Sequence, residues 1–556
     1  MTINEVGQVI ASCVVVAALL IGDVTTATAT ATKEDRHLEA DPESVPELVN
    51  DETNGATIEP LEWAPCEDDP AIECSMVSVP IDYDEPTGPK TDIAVFRVPA
   101  RNSEERSGTL FTNPGGPGGG GKLGVLAMQF SPLQDNYDIV SFDPRGVLDS
   151  GRILCEEEPE FDESEAEPDT DPTTQELLDE AREFQKNCLV NNPELLAHVS
   201  TANVARDMEL LRQATGGEKL NYIGFSYGTM LGATYASLFP ENHRVMVLDG
   251  AIDPDSYSNR PEEFWSSYAQ AWEDNFDALL DYCSTVEECT FGGEDKQAGF
   301  TDLVNKLDAE PVMLNIPSSG PEPVPVTGIG LRAVVGQLLY SRGLWDFTLE
   351  LLQELEAGDP TLLESFLEAF ISQADPFSNS TTAILAVDGD WGTDPTQAVA
   401  SEEIERTISP NFADVNGLGA LDFVFWPVQD DDVFRGPYVN HPEAETVLIV
   451  GTTEDNATPY AGAVEMTEQL GNARLLTSEG FGHLAYQNSG PCIDEAIETY
   501  INTTELPEPD TICQQDPTYT PAPVQEPDPE LPKKSESTNT TEMMVRGSSE
   551  TFTLNN

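Results

Sequence analysis

Gly224-Phe225-Ser226-Tyr227-Gly228 sets a serine between two glycines, with the apolar run LNYIGF before it and the helix-like YGTMLGATYASLF after it. A G-x-S-x-G pentapeptide between a strand and a helix makes a sharp turn that lifts the serine hydroxyl above the sheet edge, where it can attack a carbonyl. An incidental serine in a glycine-rich turn is the competing reading, and the strand and helix patterns on its two sides favour the nucleophile. Ser226 is therefore the expected nucleophile.

A serine hydroxyl is weakly nucleophilic near neutral pH and needs a base within hydrogen-bond reach. The chain has five histidines, few enough for elimination. His37 lies in an acidic stretch without period, His198 lies well away from the C-terminal end of any strand, and His243 and His441 come just before strands, at the opposite sheet edge. His483 closely follows a strand, inside Gly480-Phe481-Gly482-His483, and is the expected base. Asp455, in the loop GTTEDNATP after the strand ending at Gly451, is the expected orienting acid and gives the chain order Ser, Asp, His. Asp249 and Asp253, after the preceding strand, are alternatives, and Glu454 is a weaker one.

Acyl transfer also needs N–H donors aimed at the developing oxyanion. The run NPGGPGGGG, from Asn113 to Gly121, directly follows the third strand pattern, and the expected donors are the N–H groups of Gly116 and Tyr227. A phosphate-binding loop is the rival reading, but Gly121-Lys122 is followed by Leu123 and not by the serine or threonine of G-x-x-x-x-G-K-[ST].

These residues need a sheet to hold them. Strand-like runs lie at 76–81, 92–98, 109–113, 137–143, 220–226, 243–250, 445–451 and 473–478, with helical patterns between the later ones. That alternation predicts a mostly parallel sheet. From 252 to 432 the pattern turns helical, broken by Pro- and Gly-rich turns, as expected of a helical cap inserted into the sheet domain. The expected organisation is a signal peptide over 1–31, an acidic linker over 32–59, a core in two parts over 60–251 and 433–513 around the cap, and a disordered Pro-rich tail over 514–556.

The leader rests on an apolar stretch from Val9 to Gly22 followed by Ala-x-Ala sequences ending at Ala29 and Ala31. The stretch is shorter than the roughly 20 apolar residues that span a bilayer, so stable membrane insertion is not expected. Beyond the leader lie eight cysteines. An even number in an exported chain points to disulfides, and their grouping favours Cys66–Cys74, Cys155–Cys188, Cys283–Cys289 and Cys492–Cys513 without excluding other pairings. Neither a CxxC pair nor a neighbouring histidine set marks a metal site, and serine chemistry needs no cofactor.

The balance of 101 Asp plus Glu against 26 Lys plus Arg gives a formal net charge of -75. Nucleic acid is excluded as a natural partner by that field. Self-repulsion of this size is relieved when molar salt shortens the screening length to about 3 Å, which favours a salt-rich habitat over an ordinary acidic secreted protein.

With these motifs in place, the chain resembles the secreted tripeptidyl aminopeptidases, relatives of the proline iminopeptidases. The resemblance runs through NPGGPGGGG, SFDPRGVLDSG, the stretch from Ala205 to Pro254, GTTEDNATPY and GFGH, and covers roughly 60–513. It implies an α/β-hydrolase fold with a helical cap, the triad Ser226, Asp455 and His483, oxyanion donors at Gly116 and Tyr227, and peptide substrates with a free N-terminus. It also implies a Cys283–Cys289 pair in the cap. In such enzymes a cysteine often stands near the position of Asp388 and another shortly before a Trp-Pro; this chain has neither, and reads Phe423-Val424-Phe425-Trp426-Pro427. A secreted carboxylesterase with the same triad, and a catalytically silent surface-binding relative, are the other readings.

Overall fold

The computed structural model describes residues 52–519, except 130, 156–173, 217–218, 320–322, 372–378, 414 and 416–418. The expected signal peptide, most of the linker and the tail beyond 519 lie outside the described residues.

Among the described residues, twelve strands form in chain order: β1 (Ala64–Pro65), β2 (Glu73–Pro80), β3 (Lys90–Val98), β4 (Gly108–Asn113), β5 (Tyr137–Phe142), β6 (Leu220–Phe225), β7 (His243–Asp249), β8 (Val312–Leu314), β9 (Val324–Val326), β10 (Val447–Glu454), β11 (Ala473–Phe481) and β12 (Ile512–Gln514). Ten of them make one sheet in the order β1-β2-β3-β5-β4-β6-β7-β10-β11-β12. Pairing is antiparallel from β1 through β3 to β5 and parallel from there to β12. The expected eight strands are all present; β1, β12 and the hairpin β8–β9 carry too few apolar residues to announce themselves.

Side chains alternate between two cores, as the pleat requires. Val140, Phe142, Met246, Leu248 and Ile449 pack on one face, while Ile139, Val245, Val247, Leu448 and Val450 pack on the other. Because β5 and β6 are buried on both faces, they read as nearly continuous apolar runs. Arg145, from the SFDPRG motif, is buried beside this sheet and forks onto Asp207 at 2.8 and 2.7 Å; its remaining N–H groups reach the carbonyls of Pro80, Ile81 and His198.

The segment expected to be one helical cap divides in two. Helices Pro261–Thr285, Lys296–Ala309, Gly328–Leu338, Trp345–Ala357 and Thr361–Ile371, with the β8–β9 hairpin, surround a core of their own built on Trp272, Phe276, Phe300, Leu331 and Leu352. The helices Pro254–Asn259 and Ser380–Asp388 instead pack into the sheet's core through Tyr257, Ala383, Ile384 and Leu385. Trp391, just after the helix Ser380–Asp388, stacks on Phe423 at 4.0 Å and joins these two stretches of the chain.

Both edges of the body extend further than the sequence suggests. At the linker's end, Thr53 and Ala56 are buried, because Tyr83 and Arg206 supply partners: Asn54 Nδ2 donates to the Tyr83 carbonyl at 3.1 Å and Arg206 Nε to the Glu52 carbonyl at 3.0 Å. At the tail's start, Gln515 Nε2 donates to the Phe481 carbonyl at 2.8 Å and Tyr519 Oη to Asp494 at 2.6 Å. The four expected cysteine pairs are all bonded. Among the described residues, no helix is long and apolar enough to cross a membrane.

Candidate active site

Strand β6 ends at Phe225, and the helix Tyr227–Leu238 begins two residues later, which leaves Ser226 to turn the chain alone at φ 54°, ψ −124°. A non-glycine residue in such a conformation is strained and persists only where its surroundings enforce it. Here Ser226 N–H donates to the Asp249 carbonyl at 2.9 Å. The flanking glycine is obligatory: a Cβ on Gly224 would stand 2.3 Å from the Gly228 carbonyl oxygen. On the facing loop, Gly115 has φ +102°, and its Cβ position lies 2.8 Å from Ser226 Cβ and 3.4 Å from Oγ. The NPGGPGGGG loop therefore lies directly against the serine, with Gly116 next in the chain. Tyr227 opens the helix, so its N–H has no partner within that helix.

His483 and Asp455 meet in a buried pair. The imidazole Nδ1–H lies 3.0 Å from both Asp455 oxygens. Asp455 also accepts from Ala457 N–H at 2.8 Å, Thr458 N–H at 2.7 Å and the Thr458 hydroxyl at 3.0 Å. Those donors hold the carboxylate toward the ring and the ring in the tautomer with its proton on Nδ1. The other ring nitrogen, Nε2, is buried and has no hydrogen-bond partner. Tyr340, from the cap segment, fixes the histidine twice: its carbonyl accepts His483 N–H at 2.8 Å, and its ring meets the imidazole edge-on at 5.3 Å.

The alternatives for the acid do other work. Asp249 turns its carboxylate to the backbone just past the histidine, accepting from Ala485 N–H at 3.1 Å and Tyr486 N–H at 2.8 Å. Burial pushes its carboxyl up to about 6, against the pull of those N–H groups. Asp253 caps the helix Pro254–Asn259 and accepts from Gln469 at 2.7 Å. Glu454 is exposed, and burial of part of its side chain together with the nearby Asp274 raises its carboxyl. His243 donates to the Glu445 carbonyl at 3.0 Å, and His441 accepts from Glu443 N–H at 3.3 Å.

Sequence reasoning missed Thr458 and Tyr340, and weighed Asp249 only as an alternative acid. Thr458 carried a signal, since an Asp followed three residues later by a hydroxyl-bearing residue before a helix is a turn-forming pattern. The backbone-holding part of Asp249 and the reach of Tyr340 from the cap are tertiary and leave no local trace. Among the described residues, Asp82, His198 and Asp432 bring ligand atoms within 4.8 Å of one another; the group is part-exposed and includes none of Ser226, Asp455 and His483.

A strained serine on a strand-to-helix turn, a buried Asp–His pair after later strands and a glycine loop against the serine define a serine hydrolase, and residues 108–488 match the alpha/beta hydrolase fold family. The chain belongs to the α/β-hydrolase family. Among its relatives are the serine protease Hip1 of Mycobacterium tuberculosis H37Rv, 32% identical over 80% of this chain and 89% of that one, and the tripeptidyl aminopeptidase of Streptomyces lividans, 31% identical over 82% of this chain and 86% of that one. Carboxylesterase B of Mycobacterium tuberculosis H37Rv is 32% identical over 79% of this chain and 86% of its own length.

Proposed function

We propose that this serine hydrolase is an exported exopeptidase that releases short peptides, tripeptides foremost, from free N-termini through an acyl-enzyme on Ser226. In the proposed cycle His483 Nε2 takes the Ser226 proton as Oγ attacks the scissile carbonyl, and Asp455 stabilises the imidazolium. The Gly116 and Tyr227 N–H groups receive the oxyanion. The imidazolium then protonates the leaving amine; water, activated by the same histidine, releases the peptide acid and restores the serine. The observation that carries this reading is the unpartnered, buried Nε2 on a histidine whose other nitrogen is fully engaged by Asp455. No metal or cofactor enters the cycle.

The exopeptidase half is supported by the cap segment's contact with the base. Tyr340 packs on His483, and Tyr268, on the helix Pro261–Thr285, shares a hydrogen bond with Tyr340 at 3.2 Å. A cleft closed on that side admits a chain end more readily than a chain middle. Glu454, beside the triad, and Asp274 from the cap offer negative charge to a substrate α-ammonium. Export is supported by the four cystines, which persist in oxidising compartments.

The relative named carboxylesterase B favours a second reading, ester hydrolysis by the same triad. The two readings separate on a tripeptidyl anilide, its N-acetylated twin and a simple p-nitrophenyl ester. Exopeptidase action requires acetylation to cost at least about 1.5 kcal/mol in kcat/KM, the lower end for a charge-assisted contact. Equal turnover of the free and acetylated peptides, or turnover of the ester alone, would replace it with the esterase reading.

A further inference from the structure

The helix Ser380–Asp388 belongs to the cap by sequence, yet nearly all of it is buried in the sheet's core. Its polar side chains do not point at random. At its start, Thr381 Oγ1 donates to the Pro117 carbonyl at 2.6 Å, and Ser380 Oγ donates to the Gly146 carbonyl at 2.5 Å. At its end, Asp388 Oδ1 accepts from Thr201 N–H at 2.8 Å, while Oδ2 accepts from the Thr201 hydroxyl at 2.5 Å and the Tyr257 hydroxyl at 3.2 Å. The Thr201 hydroxyl has then given away its only proton, so it accepts from the Tyr227 hydroxyl beside it. Arg435 clamps the helix end by donating to the carbonyls of Val387, Asp388 and Gly389.

Pro117 directly follows Gly116, and Tyr227 is the residue after the serine. We propose that this one helix positions both halves of the oxyanion hole, Thr381 by tying down the Gly116–Pro117 segment and Asp388 by holding Tyr227 through Thr201. The inference rests on the assignment of Ser226 and its two N–H donors made above. Thr381, Asp388 and Thr201 are positioning residues and touch no reacting atom.

The physical need is plain. An oxyanion hole accelerates because its donors are already aimed when charge develops, and loses that advantage if they must be reorganised during the reaction. A loop with six glycines among Asn113–Gly121 has little stiffness of its own, and the Thr381 bond supplies some. Tyr227 is likewise held at both ends, by the helix through its backbone and by the hydroxyl chain through its ring. That chain has a direction. Three donors converge on Asp388, and an ionised carboxylate accepts all three with no proton of its own to place, whereas a protonated Asp388 is a weaker acceptor whose O–H competes with the converging hydroxyls. The groups facing it are Asp430, the phenols Tyr227, Tyr257 and Tyr438, and Arg435 at the adjoining carbonyls. Burial, reinforced by Asp430, pushes the Asp388 carboxyl up to about 7, so the chain loses its charged acceptor as pH falls through that value.

The test uses the whole protein, p-nitrophenyl acetate as substrate, and a trifluoromethyl ketone as a mimic of the tetrahedral adduct. Thr381→Val and Asp388→Asn should each lower kcat about tenfold or more, a fraction of what a lost oxyanion donor costs, with KM held within about twofold. Affinity for the ketone should fall by the same factor as kcat, and Thr381→Ser should restore both. The ratio of wild-type to Asp388→Asn turnover should shrink as pH falls through about 7, because protonation then does to the wild type what the substitution does. If Asp388→Asn fails to fold, the Val and Ser variants at Thr381 decide alone. Raised KM with unchanged kcat, or a lowered melting temperature with normal turnover per folded molecule, would overturn the proposal. The ester reads the hole whichever substrate class is natural, so a failure of peptide turnover alone would sink only the exopeptidase reading.

Discussion

The sheet body and the cap segment treat buried carboxylates in opposite ways. In the body, Asp455 is surrounded by three N–H groups, a hydroxyl and an imidazole, and Asp207 receives the Arg145 fork together with the Tyr83 hydroxyl at 2.7 Å. In the cap, Asp422 accepts a bond from Gly419 N–H at 3.1 Å and faces Glu402 and Glu405; burial first, and those neighbours second, push its carboxyl up to about 8. Glu405 is likewise pushed up to about 7 by burial, with Glu402 and Glu262 adding to it. In the body, preorganised donors surround these carboxylates where chemistry and architecture use them. The cap carries carboxyls that are easier to keep protonated than to solvate. Asp388 shows that position in the fold, and not in the sequence, decides the matter: it lies in the cap segment but is served by donors as in the body.

The sharpest way to break this contrast is to remove charge where it is held by donors. Asp455→Asn should lower kcat on the order of 10⁴, because the amide presents an N–H to Nδ1 and favours the wrong tautomer. Asp249→Asn should cost only about 10- to 100-fold, since it disturbs the backbone at Ala485 and Tyr486 and leaves the ring's partner in place. Steady-state kinetics on an anilide and an ester measure both. The Asp249 deficit should narrow as pH falls through about 6, where protonation removes the same charge from the wild type. A larger loss at Asp249 than at Asp455 would exchange their roles.

Architecture comes next. Arg145→Met leaves Asp207 buried without its counter-ion and frees the Pro80, Ile81 and His198 carbonyls, which should lower stability by about 3–5 kcal/mol in denaturant unfolding. Turnover per folded molecule should hardly change, because Arg145 touches no triad residue. Replacing Arg145 and Asp207 together with apolar residues should recover part of the loss; failure of that rescue would mean that the pair's value lies in the carbonyls it binds.

Much of this was legible in the sequence because the information is local. The G-x-S-x-G turn, the strands on either side and the glycines before His483 are short patterns with steric causes, and the sheet's double burial writes itself as apolar runs. The acid was less secure, because Asp249, Asp253, Glu454 and Asp455 all sit near strand ends, and which carboxylate meets the His483 ring is a tertiary matter. The cap was read as one helical unit since its helices share a composition; which of them turn toward the sheet depends on contacts over 100 residues away in sequence, such as Thr201 with Asp388. The body's last strand, β12, went unread at the end of the expected core, because three residues among prolines and acids have no periodicity to detect.

The smallest effect should come from the cap, and it tests the contrast from its other side. Asp422 ordinarily titrates near 3.8 and in the folded protein near 8, so the folded state holds a proton that the unfolded state releases across that interval. Stability linked to this group is therefore highest at acid pH and declines as pH rises through the interval. Asp422→Asn keeps an oxygen for Gly419 N–H and offers Glu402 and Glu405 an amide in place of a like charge. It should raise the melting temperature by a few degrees at pH 9 and leave it unchanged at pH 4, where the wild-type carboxyl is protonated anyway. Molar NaCl, with a screening length of about 3 Å, should narrow the gap at pH 9 and raise the wild-type melting temperature, as screening the self-repulsion of a chain of net charge -75 predicts. An equal shift at both pH values would mean that packing, and not charge, governs the site; a wild-type melting temperature flat in salt would remove the salt-adapted reading while leaving the pH effect to stand on its own measurement.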